Sequence, residues 1–280
     1  MSSVALSSSM RNNLLSLQKT NSLLETSQLR LSTGLKVNSA LDDARSFFTA
    51  QGLNNRATDL GRLVDGMGQS VQTVKAADTG VTAMTKLMEQ ADSIVTQAKE
   101  HLNSGGAATD AEIAAFEKDF DALMVQMEGV MEDANYRGIN LLTSDKLVTQ
   151  FNEDNSNTFE IAGAGFGTGT GLGVTWSSAT TDWTNADLTS FESRATEISD
   201  ALTKLRNFSS SLSNGLSIIE TRDEFTKSMI EQLQEGADKL TLADPNEEGA
   251  KLLALQTRMQ LGVSAMSMSA QSQQSVLQML

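Results

Sequence analysis

The chain of 280 residues has no cysteine and a single histidine. Those absences exclude thiolate metal sites, iron–sulfur clusters, disulfide scaffolds and a cysteine nucleophile. A catalytic imidazole would have to be His101, and no second one exists to assist it. Proline is nearly missing as well: the chain has one, where average usage near 5% would give roughly 14. Long uninterrupted helices are therefore permitted. Aromatic residues make up only 5% of the chain while methionine numbers 13, which suits helix seams better than a compact enzyme core. No run of 18 apolar residues is available to span a bilayer. There is no basic run, and a formal net charge of −14 repels nucleic-acid phosphates and anionic membrane surfaces alike. Neither nucleic acid nor membrane is expected as a partner. Met1 to Met10 is serine-rich and lacks the basic and apolar regions of a cleaved signal peptide, so these features alone point to the cytoplasm.

What the chain does have is heptad spacing. Met10, Leu14, Leu17, Asn21, Leu24, Gln28, Leu31 and Leu35 follow one another at intervals of three and four, with Leu15, Leu23 and Leu29 widening the stripe. Gly34 suits a left-handed C-cap, and Leu35 to Asp43 reads as a connector with Asp42 or Asp43 capping the next helix. A second seam runs from about Leu53 to Ala98 through Leu60, Val64, Met67, Val71, Val74, Val81, Met84, Met88, Ala91 and Val95. At 1.5 Å per residue it would reach about 70 Å, which predicts a rod-like chain. Asn103 to Gly106 breaks this helix, and Thr109 with Glu112 forms a capping box for a third, whose seam is Ile113, Phe116, Phe120, Leu123, Met127 and Val130.

After Asn135 to Leu142 the character changes. Leu147–Phe151 and Thr158–Ala162 are predicted to pair as strands across the turn Asn152–Asn157. Glycine then takes every second position from Gly163 to Gly173, with Trp176 and Trp183 beyond. A fourth helix resumes near Leu188 and continues past Leu233. The last begins with Asp244 as N-cap, Pro245 at the first helical position and Glu247 at the third. Its seam is Leu252, Gln256, Met259, Val263, Met266, Ala270, Gln273, Leu277 and Leu280, and its final 22 residues carry no side-chain charge. An exposed helix of that length would show charges on its outer face, so burial on all sides is expected.

Candidate chemistry is sparse. The glycine run matches neither G-x-G-x-x-G nor a P-loop and reads as a flexible surface loop. Asp119 and Asp121 alternate like EF-hand ligands but sit in a helical pattern without the required glycine. Asp42-Asp43 and Glu247-Glu248 lie at helix starts, where carboxylates meet the positive end of the helix dipole, and both pairs read as caps. His101 reads as a dipole partner at a helix end. No nucleophile, base and orienter come together, so no catalytic residue, cofactor site or metal site is assigned and the chain reads as a non-enzyme. The fold class is mainly α: an elongated antiparallel helical bundle or coiled coil with a small β-hairpin element. The middle helices can satisfy one another. The terminal ones cannot, since two helices do not enclose an uncharged third face, and they read as self-association surfaces. The interface residues are Met10, Leu14, Leu17, Leu24, Leu31, Leu252, Met259, Val263, Met266, Ala270, Leu277 and Leu280.

Three segments carry a family resemblance. Leu31 to Ala40 followed by Asp42-Asp43-Ala44 is similar to the N-terminal signature of bacterial flagellins. Asn135 to Leu142 resembles their Y-x-G-x-x-L-L segment, and the tail ending Val276-Leu277-Gln278-Met279-Leu280 resembles their C-terminus. The resemblance implies a subunit of the helical extracellular flagellar filament, with residues 1–42 and 237–280 as an inner coiled-coil domain. Residues 43–142 and 188–236 would be the rod domain, and 143–187 a small β and glycine-rich surface segment. It implies other copies of the chain as partners, together with the flagellar type III export apparatus, an export chaperone, the filament cap and hook-junction proteins. It also implies secretion by an uncleaved signal, replacing the cytoplasmic reading. A hook–filament junction protein of the same family is the alternative, and an intracellular coiled-coil adaptor the rival from another class.

Overall fold

The computed structural model describes residues 8–107, 109, 111–166, 171–172, 174, 183 and 186–278. Its elements in chain order are α1 (Ser8–Thr33), α2 (Ala44–Asn103), α3 (Ala111–Asp133), β1 (Lys146–Gln150), β2 (Thr158–Ala162), α4 (Leu188–Thr241) and α5 (Pro245–Gln278). Among the described residues, five helices and one two-stranded antiparallel sheet make the mainly-α fold that the near-absence of proline permits. The chain forms two compact units, one of Met1–Ala57 with Glu231–Leu280 and one of Thr58–Ile230.

In the first unit, local chemistry sets each helix end. Gly34 takes a left-handed φ of 71°, and its N–H donates to the Arg30 carbonyl at 2.8 Å, closing α1 as a glycine without a Cβ can. This stop leaves Leu35 outside the helix, so the expected seam loses its last member. Leu35 instead bridges Leu242 in antiparallel fashion, and the Lys36 and Ala243 N–H groups donate to the Thr241 and Gly34 carbonyls, each at 2.8 Å. Both aspartates of the connector find work. Asp43 caps α2, accepting from the Arg45 and Ser46 N–H groups at 3.1 and 3.2 Å, while Asp42 accepts from the Asn38 and Ser39 N–H groups at 3.0 and 2.9 Å and closes the turn before it. At the start of α5, Asp244 accepts from the Asn246 and Glu247 N–H groups at 2.8 and 3.3 Å, as its place before Pro245 predicts.

The second unit holds the core. Met67, Val74, Val81, Met88 and Val95 on α2, Ile113, Phe120 and Met127 on α3, and Phe191, Ile198, Leu205, Leu212 and Ile219 on α4 are all buried. Each series repeats every seven residues, the spacing that keeps one stripe of a slightly underwound helix on its partners. Within α3 the stripe is displaced from the expected one: Met124 and Met131 are buried, while Phe116, Leu123 and Val130 are only half-buried. α3 starts at Ala111, one residue later than a Thr109 cap requires, and Glu112 pairs instead with His101 Nδ1 at 2.9 Å. His101 itself occupies the last turn of α2, where the helix dipole favours positive charge.

Residues 135–142 end α3 and enter the core. Tyr136 and Ile139 exchange backbone hydrogen bonds of 3.0 and 3.1 Å around Arg137 and Gly138, whose φ values of 54° and 82° are those of a two-residue turn with both central residues left-handed. The buried Asn140 donates through Nδ2 to the Met131 carbonyl at 2.7 Å and accepts from the Leu142 N–H at 2.9 Å, which drives Leu141 and Leu142 inward. β1 begins one residue earlier than predicted and pairs with β2 in the register Leu147↔Ile161 and Thr149↔Phe159; Phe151 lies just past the ladder.

The glycine-rich stretch corrects the surface-loop reading. Ala164, Gly165 and Phe166 N–H groups donate to the carbonyls of Leu141, Thr143 and Leu142 at 2.8–2.9 Å, and Phe166, Leu172, Val174 and Trp183 are buried. The Trp183 ring centroid lies 5.5 Å from that of Phe120 and 5.0 Å from that of Phe191, and the Arg194 guanidinium sits 5.6 Å over Phe120. The glycines let the backbone fold closely enough for the few large side chains between them to be buried. Trp176, Gly167, Gly169 and Gly173 lie outside the described residues.

Candidate functional site

The terminal helices α1 and α5 pack side by side within the first unit. The approach is close: a Cβ on Gly262 would come within 2.6 Å of a Leu17 methyl. Met10, Leu17, Leu24, Leu252, Met259 and Met266 are half-buried, whereas Leu14, Leu31, Val263 and Ala270 remain exposed. Leu280 and the side chain of Leu277 lie outside the described residues. No seam residue of α5 is fully buried among the described residues.

A second set of apolar side chains on the pair is left uncovered. Leu15, Leu23 and Leu29 on α1 and Leu253, Leu261 and Met268 on α5 are all exposed, with Leu261 and Met268 at 66% and 67%. The seam reading missed Leu253, Leu261 and Met268, although their spacing of eight and seven residues was visible. A helix buried on one face only would carry polar side chains there. Here both faces are apolar, and Arg258 is the last charged residue before the C-terminus.

One ionic cluster ties the pair together, and it corrects the capping reading of Glu247-Glu248. Glu247 does face the surface, with Lys251 at 2.7 Å one turn on. Glu248 turns inward and is buried at 4% exposure. It accepts from the Ser27 hydroxyl at 2.8 Å, and Arg30 and Lys251 lie 3.4 and 3.2 Å from its other oxygen. Burial pushes the Glu248 carboxyl up, but the Ser27 hydrogen bond, Lys251 and Arg30 together outweigh it and hold the group below the ordinary glutamate value of 4.5. A carboxylate with a lowered folded-state pKa stabilises fully above its unfolded value, and the contribution is lost as pH falls through the folded one. The α1–α5 pairing should therefore weaken progressively below pH 4.5. Replacing Glu248 by alanine should cost the pairing about 2 kcal/mol at pH 7, the scale for hydrogen bonds to a charged group. Far-UV circular dichroism melts of both chains between pH 7 and 3 test this; equal stability at neutral pH would discard the cluster as a clasp.

Asp119 and Asp121 lie on α3 as a helical pattern requires. Among the described residues, no group of three or more His, Cys, Asp or Glu is placed to hold a metal ion, and no helix is long and apolar enough to cross a membrane. What the surface offers is two adjacent helices with more apolar area than either can cover.

Comparison with known proteins bears on the same helices. The model of the bacterial flagellin N-terminal helical region matches residues 2–146, and that of the bacterial flagellin C-terminal helical region matches residues 184–280. A flagellin of Brucella melitensis is 29% identical over 286 aligned residues, covering 99% of this chain and 98% of its own. Flagellins FljK and FljM of Caulobacter vibrioides are 29% and 30% identical, each alignment covering 93% of this chain and 92% of the relative.

Proposed function

The chain belongs to the bacterial flagellin family, and we propose that it is the structural subunit whose copies assemble into the helical extracellular flagellar filament used for motility. The observation that carries this reading is the terminal helix pair, apolar on its outer as well as its inner face and ending in a charge-free tail. Apolar surface left in water drives association at roughly 25 cal/mol per Å² buried, less the cost of immobilising the partners. In a filament, neighbouring copies supply the enclosure that two helices cannot. Because the surfaces that meet are different, the assembly need not close on itself and can grow as an open helix.

The contacts between copies involve Met10, Leu14, Leu17, Leu24, Leu31, Leu252, Met259, Val263, Met266, Ala270, Leu277 and Leu280. Residues 1–42 and 237–280 form the inner coiled-coil domain, 43–142 and 188–236 the rod domain, and 143–187 a small surface segment. The subunit leaves the cell unfolded through the flagellar type III apparatus with the help of an export chaperone, and it meets the cap and hook-junction proteins in the assembled organelle. Its role is architectural, in keeping with the family.

Concentrating purified subunits and imaging them by negative stain tests the reading. Long filaments are expected, and a discrete small oligomer at every concentration would overturn it. Hydrogen exchange adds a second check. With no further helix of their own chain to cover the pair's uncovered apolar side chains, α1 and α5 should exchange faster than α2–α4 in dilute monomer and become protected in the polymer. Strong protection at Leu14–Leu31 and Met259–Leu277 before assembly contradicts that expectation.

A further inference from the structure

Charge is divided unequally between the two compact units. Met1–Ala57 with Glu231–Leu280 holds nine Asp and Glu and nine Lys and Arg, whereas Thr58–Ile230 holds 26 and 12. The whole net charge of −14 therefore resides in the second unit, and the first is neutral.

On α4, within that charged unit, one stripe carries no charge. Ser211, Asn214, Ile218, Thr221, Phe225 and Ser228 follow one another at intervals of three and four, and every one of them is exposed. At about 100° per residue they share one side of the helix, away from the buried Leu212 and Ile219. The charged residues of this stretch, Glu220, Arg222, Asp223, Glu224 and Lys227, all fall outside the stripe. Its length is about 26 Å. A helix face turned only to water, in so acidic a unit, would carry carboxylates. Here hydroxyls and an amide stand in their place, with two large apolar side chains, Ile218 at 42% and Phe225 at 56% exposure.

The charge of the unit selects what can cover this stripe. The second unit of another copy is repelled, since both carry the same −14. The first unit is neutral and approaches freely. Within it, α1 bears Arg11, Lys19, Glu25 and Arg30, which would give up water to a stripe that offers no counter-charge. From Met259 onward α5 bears no charge, and as far as Gln278 it measures about 29 Å, close to the length of the stripe. The apolar positions agree as well. Leu261 and Met268 on α5 are uncovered and seven residues apart, and so are Ile218 and Phe225 on α4.

We propose that the Ser211–Ser228 stripe of α4 is the docking surface for the charge-free end of α5 from a second copy of this chain, with Ile218 and Phe225 meeting Leu261 and Met268 of that copy. The two surfaces differ, so the contact is heterologous and each copy offers both halves to its neighbours. The inference rests on the filament reading above and gives it a receiving surface outside both terminal helices.

The chain has no cysteine, so a Thr221→Cys variant carries a single attachment point for a benzophenone photo-crosslinker. Irradiated polymer should give covalent dimers in which the label is joined to the tryptic peptide that follows Arg258 in another copy, and irradiated dilute monomer should give none. Phe225→Ser should raise the critical concentration about tenfold, on the scale of burying one large apolar side chain, and Phe225→Leu should leave it near the unmodified value. Polymer that cross-links only into residues 58–230 or not at all, or a serine variant that polymerises as readily as the original, would overturn the docking surface while leaving the filament intact. Failure of the unmodified chain to polymerise would overturn the filament reading and the docking surface with it.

Discussion

Replacing Leu261 by glutamate should abolish filaments at subunit concentrations where the original chain polymerises. Leu261 stands 66% exposed on the outer stripe of α5, in a stretch with no charged side chain from Met259 to the C-terminus. In the isolated subunit the new carboxylate is solvated and costs nothing. In a polymer that covers this face, it loses its water with no cation in the tail to meet it, a penalty of several kcal/mol for each added copy. At about 1.4 kcal/mol per tenfold, the critical concentration rises more than about a hundredfold. Sedimentation of polymer from a concentration series reads this directly, and the melting of the second unit serves as the folding control. Met268→Glu should behave alike. If both variants sediment like the original chain, the outer face of α5 is not a contact between copies.

Truncating Phe120 to alanine acts on the other unit and should be the most destabilising single change there. Its ring is fully buried, faces Trp183 at 5.5 Å and lies beneath the Arg194 guanidinium, so the cavity would open where α3, α4 and the glycine-rich stretch converge. Removing a buried phenylalanine side chain costs about 3–5 kcal/mol, which for a unit of this size lowers Tm by roughly 10 °C. Tryptophan fluorescence offers a local readout, because Trp183 would gain water and shift to longer wavelength. A loss under about 1 kcal/mol would mean that the three elements close over the gap and that the aromatic cluster is not the keystone of the unit.

The two experiments separate assembly from folding because the molecule separates them. Residues buried within one chain sit mainly on the heptad stripes of α2, α3 and α4, and residues that await a neighbour sit on α1 and α5. Lengthening a seam does not tell these cases apart. Leu14 and Leu31 belong to a seam of threes and fours on α1, as Met67 and Val74 do on α2, yet the former pair is exposed and the latter is fully buried. A stripe is covered only when enough other helices are present in the same chain.

Several features were legible beforehand because they depend on neighbours within four residues. The stop at Gly34, the Asp244-Pro245 start of α5, the strand at Thr158–Ala162 and the near-continuous α2 all follow from caps, turn residues and the scarcity of proline. Others were hidden because their partners are remote in the chain. Ser27 and Glu248 are 221 residues apart, and capping rules explained Glu248 well enough to mask its inward turn. Trp183, Phe166 and Leu172 sit among glycines and polar residues, a composition that reads as exposed loop until the hydrogen bonds to Leu141, Leu142 and Thr143 draw the stretch inward.

Sequence by itself determined where the helices run, that the last 22 residues carry no charge to face water, and that no cysteine chemistry is on offer. Those outcomes depend on backbone propensities and on side-chain types within a turn or two, which a linear string records in full. Tertiary structure alone decided which apolar stripe is covered, which carboxylate is buried, and that the entire net charge belongs to one unit while the other is left neutral and apolar. Burial and charge balance are sums over neighbours brought together by folding, and spacing along the chain does not contain them.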